Sequence, residues 1–209
     1  MKTIELIVPC YNEEKCIELF YNAVKEVFRK LPAFHFIITY VDDGSRDDTL
    51  NEIKRVASIA KEGVIQYIAL SRNFGKESAI YAGLSKSTGD YVALIDADLQ
   101  HPPELLVPMI DAIEKEGYDR ATARRVSRKG EPLIRSVFSK AFYSIINYIT
   151  VLDLISGSTD YCLMKRTVVD SIVSMSERER FTKGIYSWVG FKNKWIEYEN
   201  VCLLYTSDA

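Results

Sequence analysis

Tyr91-Val92-Ala93-Leu94-Ile95-Asp96-Ala97-Asp98 sets an unbroken apolar run directly before two carboxylates spaced one residue apart. A short continuous apolar run reads as a strand covered on both faces, the kind found in parallel sheets. A strand that ends on Asp-x-Asp delivers two hard oxygen ligands to one edge of that sheet, where they can hold Mg²⁺ or Mn²⁺ and leave positions open for phosphates.

Outward from this stretch the same unit recurs. Ile4 to Val8 is a β-branched run ended by Pro9, and after Glu13 the residues Ile17, Phe20, Val24, Val27 and Leu31 fall at helical spacing. Phe36 to Val41, the loop Asp42-Asp43-Gly44-Ser45 and a helix bearing Leu50, Ile53 and Ala57 form a second unit. Val64 to Leu70 reads as a further buried strand. Asn73-Phe74-Gly75 and a small-residue helix with Ala79, Ala82 and Gly83 separate it from the Tyr91 run. Beyond Asp98, Pro102 and Pro103 suit the first turn of a helix facing inward through Leu106, Met109, Ile110 and Ile113, and Tyr118 to Ala123 predicts another strand. This alternation predicts an α/β fold: a mostly parallel sheet with helices on both faces.

The rhythm then changes. Arg124 to Arg135 is a basic loop containing Gly and Pro, and a helix follows with Phe138, Phe142, Ile145, Ile146 and Ile149 on it. Such a stripe packs against its own core more often than against a membrane.

Composition bounds the function. The 209 residues, 47% hydrophobic and 27% charged, suit one well-buried domain. A net charge of −2 supplies no global field for nucleic acid, so no nucleic-acid partner is expected. Cys10, Cys16, Cys162 and Cys202 form no C-x-x-C pair and no metal-type spacing with His35 and His101, which favours a reduced compartment. The apolar start is too short for a signal peptide, and Ala141 to Leu152 falls short of the roughly 18 to 20 residues a membrane span needs. This sequence is therefore expected to be soluble, with no transmembrane span.

In an open α/β sheet, ligands bind beyond the carboxyl ends of the strands. Here those ends carry Pro9-Cys10-Tyr11-Asn12-Glu13, Asp42-Asp43-Gly44-Ser45, Ser71-Arg72-Asn73 and Asp96-Ala97-Asp98. Any one of these loops could be an ordinary turn or helix cap. Together they gather carboxylates that repel unless a cation or a ligand donor sits among them. No G-x-x-x-x-G-K-[ST] occurs and no G-x-G-x-x-G follows a strand, which weakens the P-loop and dinucleotide readings. His101 has no serine or cysteine partner in view and reads as structural or ligand-lining.

Four segments resemble the family 2 glycosyltransferases of the GT-A fold, in the polyprenyl-phosphate branch with dolichol-phosphate mannose synthases and bactoprenol glucosyltransferases. They are Val8-Pro9-Cys10-Tyr11-Asn12-Glu13-Glu14, Val41-Asp42-Asp43-Gly44-Ser45-Arg46-Asp47-Asp48-Thr49, Ser71-Arg72-Asn73-Phe74-Gly75-Lys76-Glu77 and Asp96-Ala97-Asp98-Leu99-Gln100-His101-Pro102-Pro103-Glu104. Ser158-Thr159-Asp160-Tyr161-Cys162-Leu163-Met164 resembles the family's G-D-F-R-L-M segment, with Thr159 where Gly is usual and Cys162 where Arg is common. Arg180-Phe181-Thr182-Lys183-Gly184 and Trp188-Val189-Gly190-Phe191 support the same branch.

The resemblance implies a Rossmann-like GT-A domain over residues 1–201, with a nucleotide-sugar half (1–123), an acceptor half (124–201) and an atypical tail (202–209). It implies inverting transfer of a hexose from a nucleotide-diphosphate sugar of the UDP-glucose, UDP-GlcNAc or GDP-mannose type to a polyprenyl phosphate. Pro9, Tyr11, Asn12, Glu13, Asp42, Asp43, Arg72, Lys76, Asp96 and Ala97 would line the donor, with Asp43 reading the base edge and Asp96 facing ribose or sugar. Asp98, with Gln100, would bind Mg²⁺ or Mn²⁺. Asp160 would act as base or orient the acceptor, although Asp160 taken alone also reads as a helix cap or a partner of Arg166. Arg124, Arg128, Arg135 and Lys183 would meet the acceptor phosphate. The family pattern also implies further C-terminal segments that reach the cytoplasmic membrane face, and a chain ending here that binds donor better than it turns over acceptor. A homo-oligomer is left open. The competing readings are a glycan or lipid-linked saccharide acceptor, or a catalytically silent nucleotide-sugar-binding module.

Overall fold

A computed structural model describes residues 1–126, 158–175 and 182–199. The expected basic loop beyond Val126, the Phe138 to Ile149 helix, Arg180-Phe181 and the tail all lie outside the described residues.

Seven strands join one sheet: β1 (Lys2–Cys10), β2 (Phe34–Asp42), β3 (Val64–Ala69), β4 (Tyr91–Leu94), β5 (Arg120–Arg125), β6 (Ser158–Lys165) and β7 (Asn193–Tyr198). Their order is β3-β2-β1-β4-β6-β5-β7. The pairings β1–β2, β1–β4, β2–β3 and β5–β7 are parallel, while β6 runs antiparallel to both β4 and β5. The sheet is thus mostly parallel, as the alternating pattern predicts.

Side chains alternate across it. Ile4, Leu6, Val8, Phe36, Ile38, Tyr40, Ala93 and Leu163 join a core with α1 (Ile17–Lys30), α2 (Thr49–Ile59) and α4 (Leu106–Glu114). Ile7, Val41, Val92, Leu94, Cys162 and Met164 join a second core with α3 (Lys76–Lys86), α5 (Arg166–Ser174) and α6 (Thr182–Trp188). Helices therefore cover both faces. On α1 the predicted stripe is the buried one, with Ile17, Phe20, Val24 and Val27 at most 1% exposed. Each such side chain contributes about 1.5–3 kcal/mol of gross transfer free energy. The small residues of α3 let it approach the sheet closely, since a Cβ on Gly83 would lie 2.3 Å from Ile7 Cγ2.

Two expectations need correction. β3 is not buried: it is an edge strand with Val64 56% and Tyr67 45% exposed, and only Ile65 and Ile68 pack partly inward. Its apolar composition was read as two-sided burial, but a strand at the sheet edge lacks a neighbour and here lacks full cover. Pro9 does not end β1 either, because pairing continues through Cys10 opposite Asp42. Ile7 accepts the N–H of Ile95, so odd residues of β1 point their backbone toward β4. β4 ends at Leu94, opposite Ile7, so the N–H that Pro9 lacks faces a flank where the ladder has stopped.

Candidate functional site

Parallel strands bring their carboxyl ends to one edge, so the loops after β1, β2, β3 and β4 converge there. The first two are laced together. Asn12, at φ 56°, donates its N–H to Ser45 Oγ (3.0 Å) and accepts from Arg46 N–H (2.9 Å), and Glu13 N–H donates to Thr49 Oγ1 (2.8 Å). Asp42 accepts the N–H of Ser45 (3.1 Å), closing the turn that follows β2. Gly44, at φ +67°, lies against the loop after β3: a Cβ there would fall 2.3 Å from the Arg72 carbonyl carbon. That loop is held in turn by Asp43, whose two carboxylate oxygens accept the N–H groups of Phe74 (2.8 Å) and Gly75 (2.9 Å).

The strand β6 adds a residue from the other direction. Its antiparallel register pairs Leu94 with Cys162, and continued two residues further it sets Asp96 opposite Asp160. Lys76, the first residue of α3, lies between them: its ammonium is 2.7 Å from Asp96 Oδ1 and 2.9 Å from Asp160 Oδ2.

A cavity of about 300 Å³ opens at this edge, lined by Pro9, Cys10, Tyr11, Glu13, Asp43, Asn73, Lys76, Ala79, Asp96, Ala97 and Asp98. Asp98 accepts the N–H of Gln100 through one oxygen (3.0 Å), and among the described residues its other oxygen has no hydrogen-bond donor. Among the described residues four carboxylates face the cavity against one ammonium. Burial raises the Glu13 carboxyl pKa above its ordinary value. The Cys16 thiol opposes that rise, and Asp98, Asp96 and Asp47 add to it. For Lys76 burial disfavours the charge, yet Asp96 and Asp160 outweigh it and raise its pKa. His101 stands behind the edge with Nδ1 2.6 Å from Tyr198 Oη, and burial lowers its pKa against the opposing pull of Asp96 and Asp98.

The expected donor residues divide accordingly. Pro9, Tyr11, Glu13, Asp43, Lys76, Asp96 and Ala97 line the cavity together with Asp98. Asn12 and Asp42 fasten the loops instead, and Arg72 stacks on the Phe74 ring, 4.1 Å from its centroid. The backbone N–H of Gln100 goes to Asp98, but Gln100 is not part of the lining. Arg124, the last residue but one of β5, pairs with Glu197 of β7 at 3.3 Å. Arg128, Arg135 and the Lys183 side chain lie outside the described residues. The reading of the loops assigned no role to Cys10, Asn73 or Ala79. Asn73 stands in the segment that carries the family pattern, and Ala79 belongs to the small-residue face of α3, so both signals were present in the sequence.

Three comparisons bear on this geometry. The family model described as Glycosyl transferase family 2 matches residues 5–173. Among curated proteins, the uncharacterized glycosyltransferase sll0501 of Synechocystis is 39% identical over 94% of the chain and 61% of its own length. The prophage bactoprenol glucosyl transferase homolog of Escherichia coli is 37% identical over 93% of the chain and 62% of its own length. The chain thus spans about three fifths of these relatives. Among solved structures, the mannosyltransferase PcManGT from Pyrobaculum calidifontis, in complex with GDP-Man and Mn²⁺, superposes with a TM-score of 0.64 at 18% identity, over 93% of this chain and 54% of that one. At that identity the likeness speaks for the fold.

Proposed function

The chain belongs to glycosyl transferase family 2, and from that premise we propose that it transfers a hexose from a nucleotide-diphosphate sugar to a polyprenyl phosphate, inverting the anomeric carbon with a divalent ion in place. The observation that carries this reading is the meeting of Asp96, Asp98 and Lys76 at one cavity, with Asp160 paired to the same Lys76 ammonium. The E. coli relative named for bactoprenol supports the choice of acceptor. Residues 1–123 would hold the donor and 124–201 the acceptor, at the cytoplasmic membrane face in the whole protein. No helix among the described residues is long and apolar enough to cross a membrane.

The residues fit a hard divalent ion. Asp98 lines the cavity with a carboxylate that takes one backbone donor, beside Glu13 and Asp96. Among the described residues no three such side chains gather as a complete metal cage. That suits an ion completed by substrate phosphates and water, as Mg²⁺ and Mn²⁺ commonly are. Asp98 would hold it; when bound, such an ion offsets the charge that grows on a diphosphate leaving group.

The chain's own residues would do the rest. Tyr11 and Pro9, which line the cavity, would wall the nucleotide end, and Asp43, whose oxygens each keep a second lone pair, would meet a base edge. Asp96 would face the sugar. Asp160 sits across from it, where an acceptor oxygen must approach for in-line attack. An acceptor phosphate is already ionised, so Asp160 would mainly orient it and need abstract no proton.

The test is transfer of radiolabel from UDP-glucose, UDP-GlcNAc or GDP-mannose to undecaprenyl phosphate in Mn²⁺. Labelled lipid phosphate is expected with one of the donors. Label appearing on a saccharide acceptor and never on the lipid phosphate would replace this acceptor. Donor binding with no transfer to either would point to a silent binding module.

A further inference from the structure

The first turn of α3 joins parts of the molecule that lie far apart in sequence. The backbone just before Lys76 is fixed because Asp43 holds the N–H groups of Phe74 and Gly75. The residue just after, Glu77, accepts from the N–H of Thr182 at 3.2 Å and from its hydroxyl, which ties α3 to the start of α6. Between these two anchors the Lys76 ammonium is shared by Asp96, which follows β4, and Asp160, the third residue of β6.

We propose, resting on the functional reading above, that Lys76 is a positioning residue for the acceptor: its ammonium, shared by Asp96 and Asp160, offsets part of the negative charge that an anionic phosphate meets on approach. Both substrates are anions, and the cavity already holds Glu13, Asp43, Asp96 and Asp98. Like charges brought together in a partly desolvated site are strongly unfavourable. Lys76 is the cation that lines the cavity among the described residues. Asp96 and Asp160 keep Lys76 protonated, so its charge is constant across ordinary pH.

The experiment is a double-mutant cycle on the whole chain, reading KM for undecaprenyl phosphate separately from kcat. Lys76→Met raises that KM by at least about tenfold, and Lys76→Arg, which keeps the charge, restores most of it. Asp160→Asn lowers kcat while KM stays within about threefold. In Lys76→Met/Asp160→Asn the KM falls part of the way back toward wild type, because one carboxylate fewer is left to repel the phosphate. An unchanged KM in Lys76→Met, or a double variant whose KM change is the product of the singles, overturns the proposal. Melting curves verify folding, and Lys76→Gln carries the same expectation should the methionine variant not fold. If wild type transfers nothing to the lipid phosphate, the functional reading fails by itself. The same cycle is then read on UDP affinity in Mn²⁺, where restoration by Asp160→Asn sustains the charge argument and strict additivity ends it.

Discussion

The two edges of the sheet use charge in opposite ways. At the edge where β1, β4 and β5 begin, carboxylates are matched by cations: Lys2 pairs with Glu114 at 2.8 Å, Lys165 with Asp119 at 3.0 Å and Lys194 with Glu116 at 2.6 Å. Asp90 there accepts the N–H of Thr3 at 2.8 Å. At the opposite edge Glu13, Asp43, Asp96 and Asp98 face one cavity, with Lys76 the single lining cation among the described residues. Matched pairs settle a fold modestly and leave nothing for a ligand to complete. Unmatched carboxylates cost stability and are tolerated where a bound cation or substrate resolves them. The first edge is framework, and the second is built to receive something.

The largest effect expected from probing this contrast comes from the scaffold of the acidic edge. Gly44→Ala would drive a Cβ into the Arg72 backbone at a position with φ +67°. Both faults act on the folded state, so a loss of about 3 kcal/mol or more is expected in chemical denaturation. A loss below about 0.5 kcal/mol would mean that the two loops are not packed as described.

A much smaller effect is expected at the matched edge. The Lys2 and Tyr91 hydrogen bonds lower the Glu114 pKa below its ordinary value. A depressed carboxylate contributes stability that is complete above its unfolded pKa, about 4.3. That contribution is lost as pH falls through the lowered folded value. Glu114→Gln should therefore cost roughly 0.2–1 kcal/mol near neutrality and flatten the acid side of the stability curve below about pH 4.3. Nucleotide affinity should not move. A change in that affinity would blur the division between the two edges.

How far the sequence alone reaches follows from the kind of contact involved. The strands β1, β2 and β4 and the helices α1 to α4 were readable because their burial is periodic, as with Ile17, Phe20, Val24 and Val27 on one stripe. β3 misled because Val64 and Tyr67 are apolar yet exposed at an edge, and composition carries no information about neighbours. The acidic loops after β1, β2 and β4 follow from the rule that ligands sit beyond strand ends. Asp160 escapes that rule, since it lies in the first half of an antiparallel strand, and only the family resemblance singles it out. Its link to Lys76 spans 84 residues and depends on the β4–β6 register. Asn12 and Asp42 look like ligand residues in sequence, but Asn12 bonds to the loop after β2 and Asp42 closes its own turn. Polar side chains at turns serve both ends, and spacing does not say which.

The acidic edge is expected to take up a divalent ion through Asp98 and a nucleotide-diphosphate sugar with it. The direct measurement is titration calorimetry of nucleotide sugars with and without Mn²⁺, on wild type and on Asp98→Asn. For wild type, Mn²⁺ should strengthen donor binding by about tenfold or more. Asp98→Asn should lose that dependence while melting at the same temperature or higher, because one repulsive charge is gone. Equal affinity with and without Mn²⁺ in wild type, or full Mn²⁺ dependence in Asp98→Asn, would contradict the account.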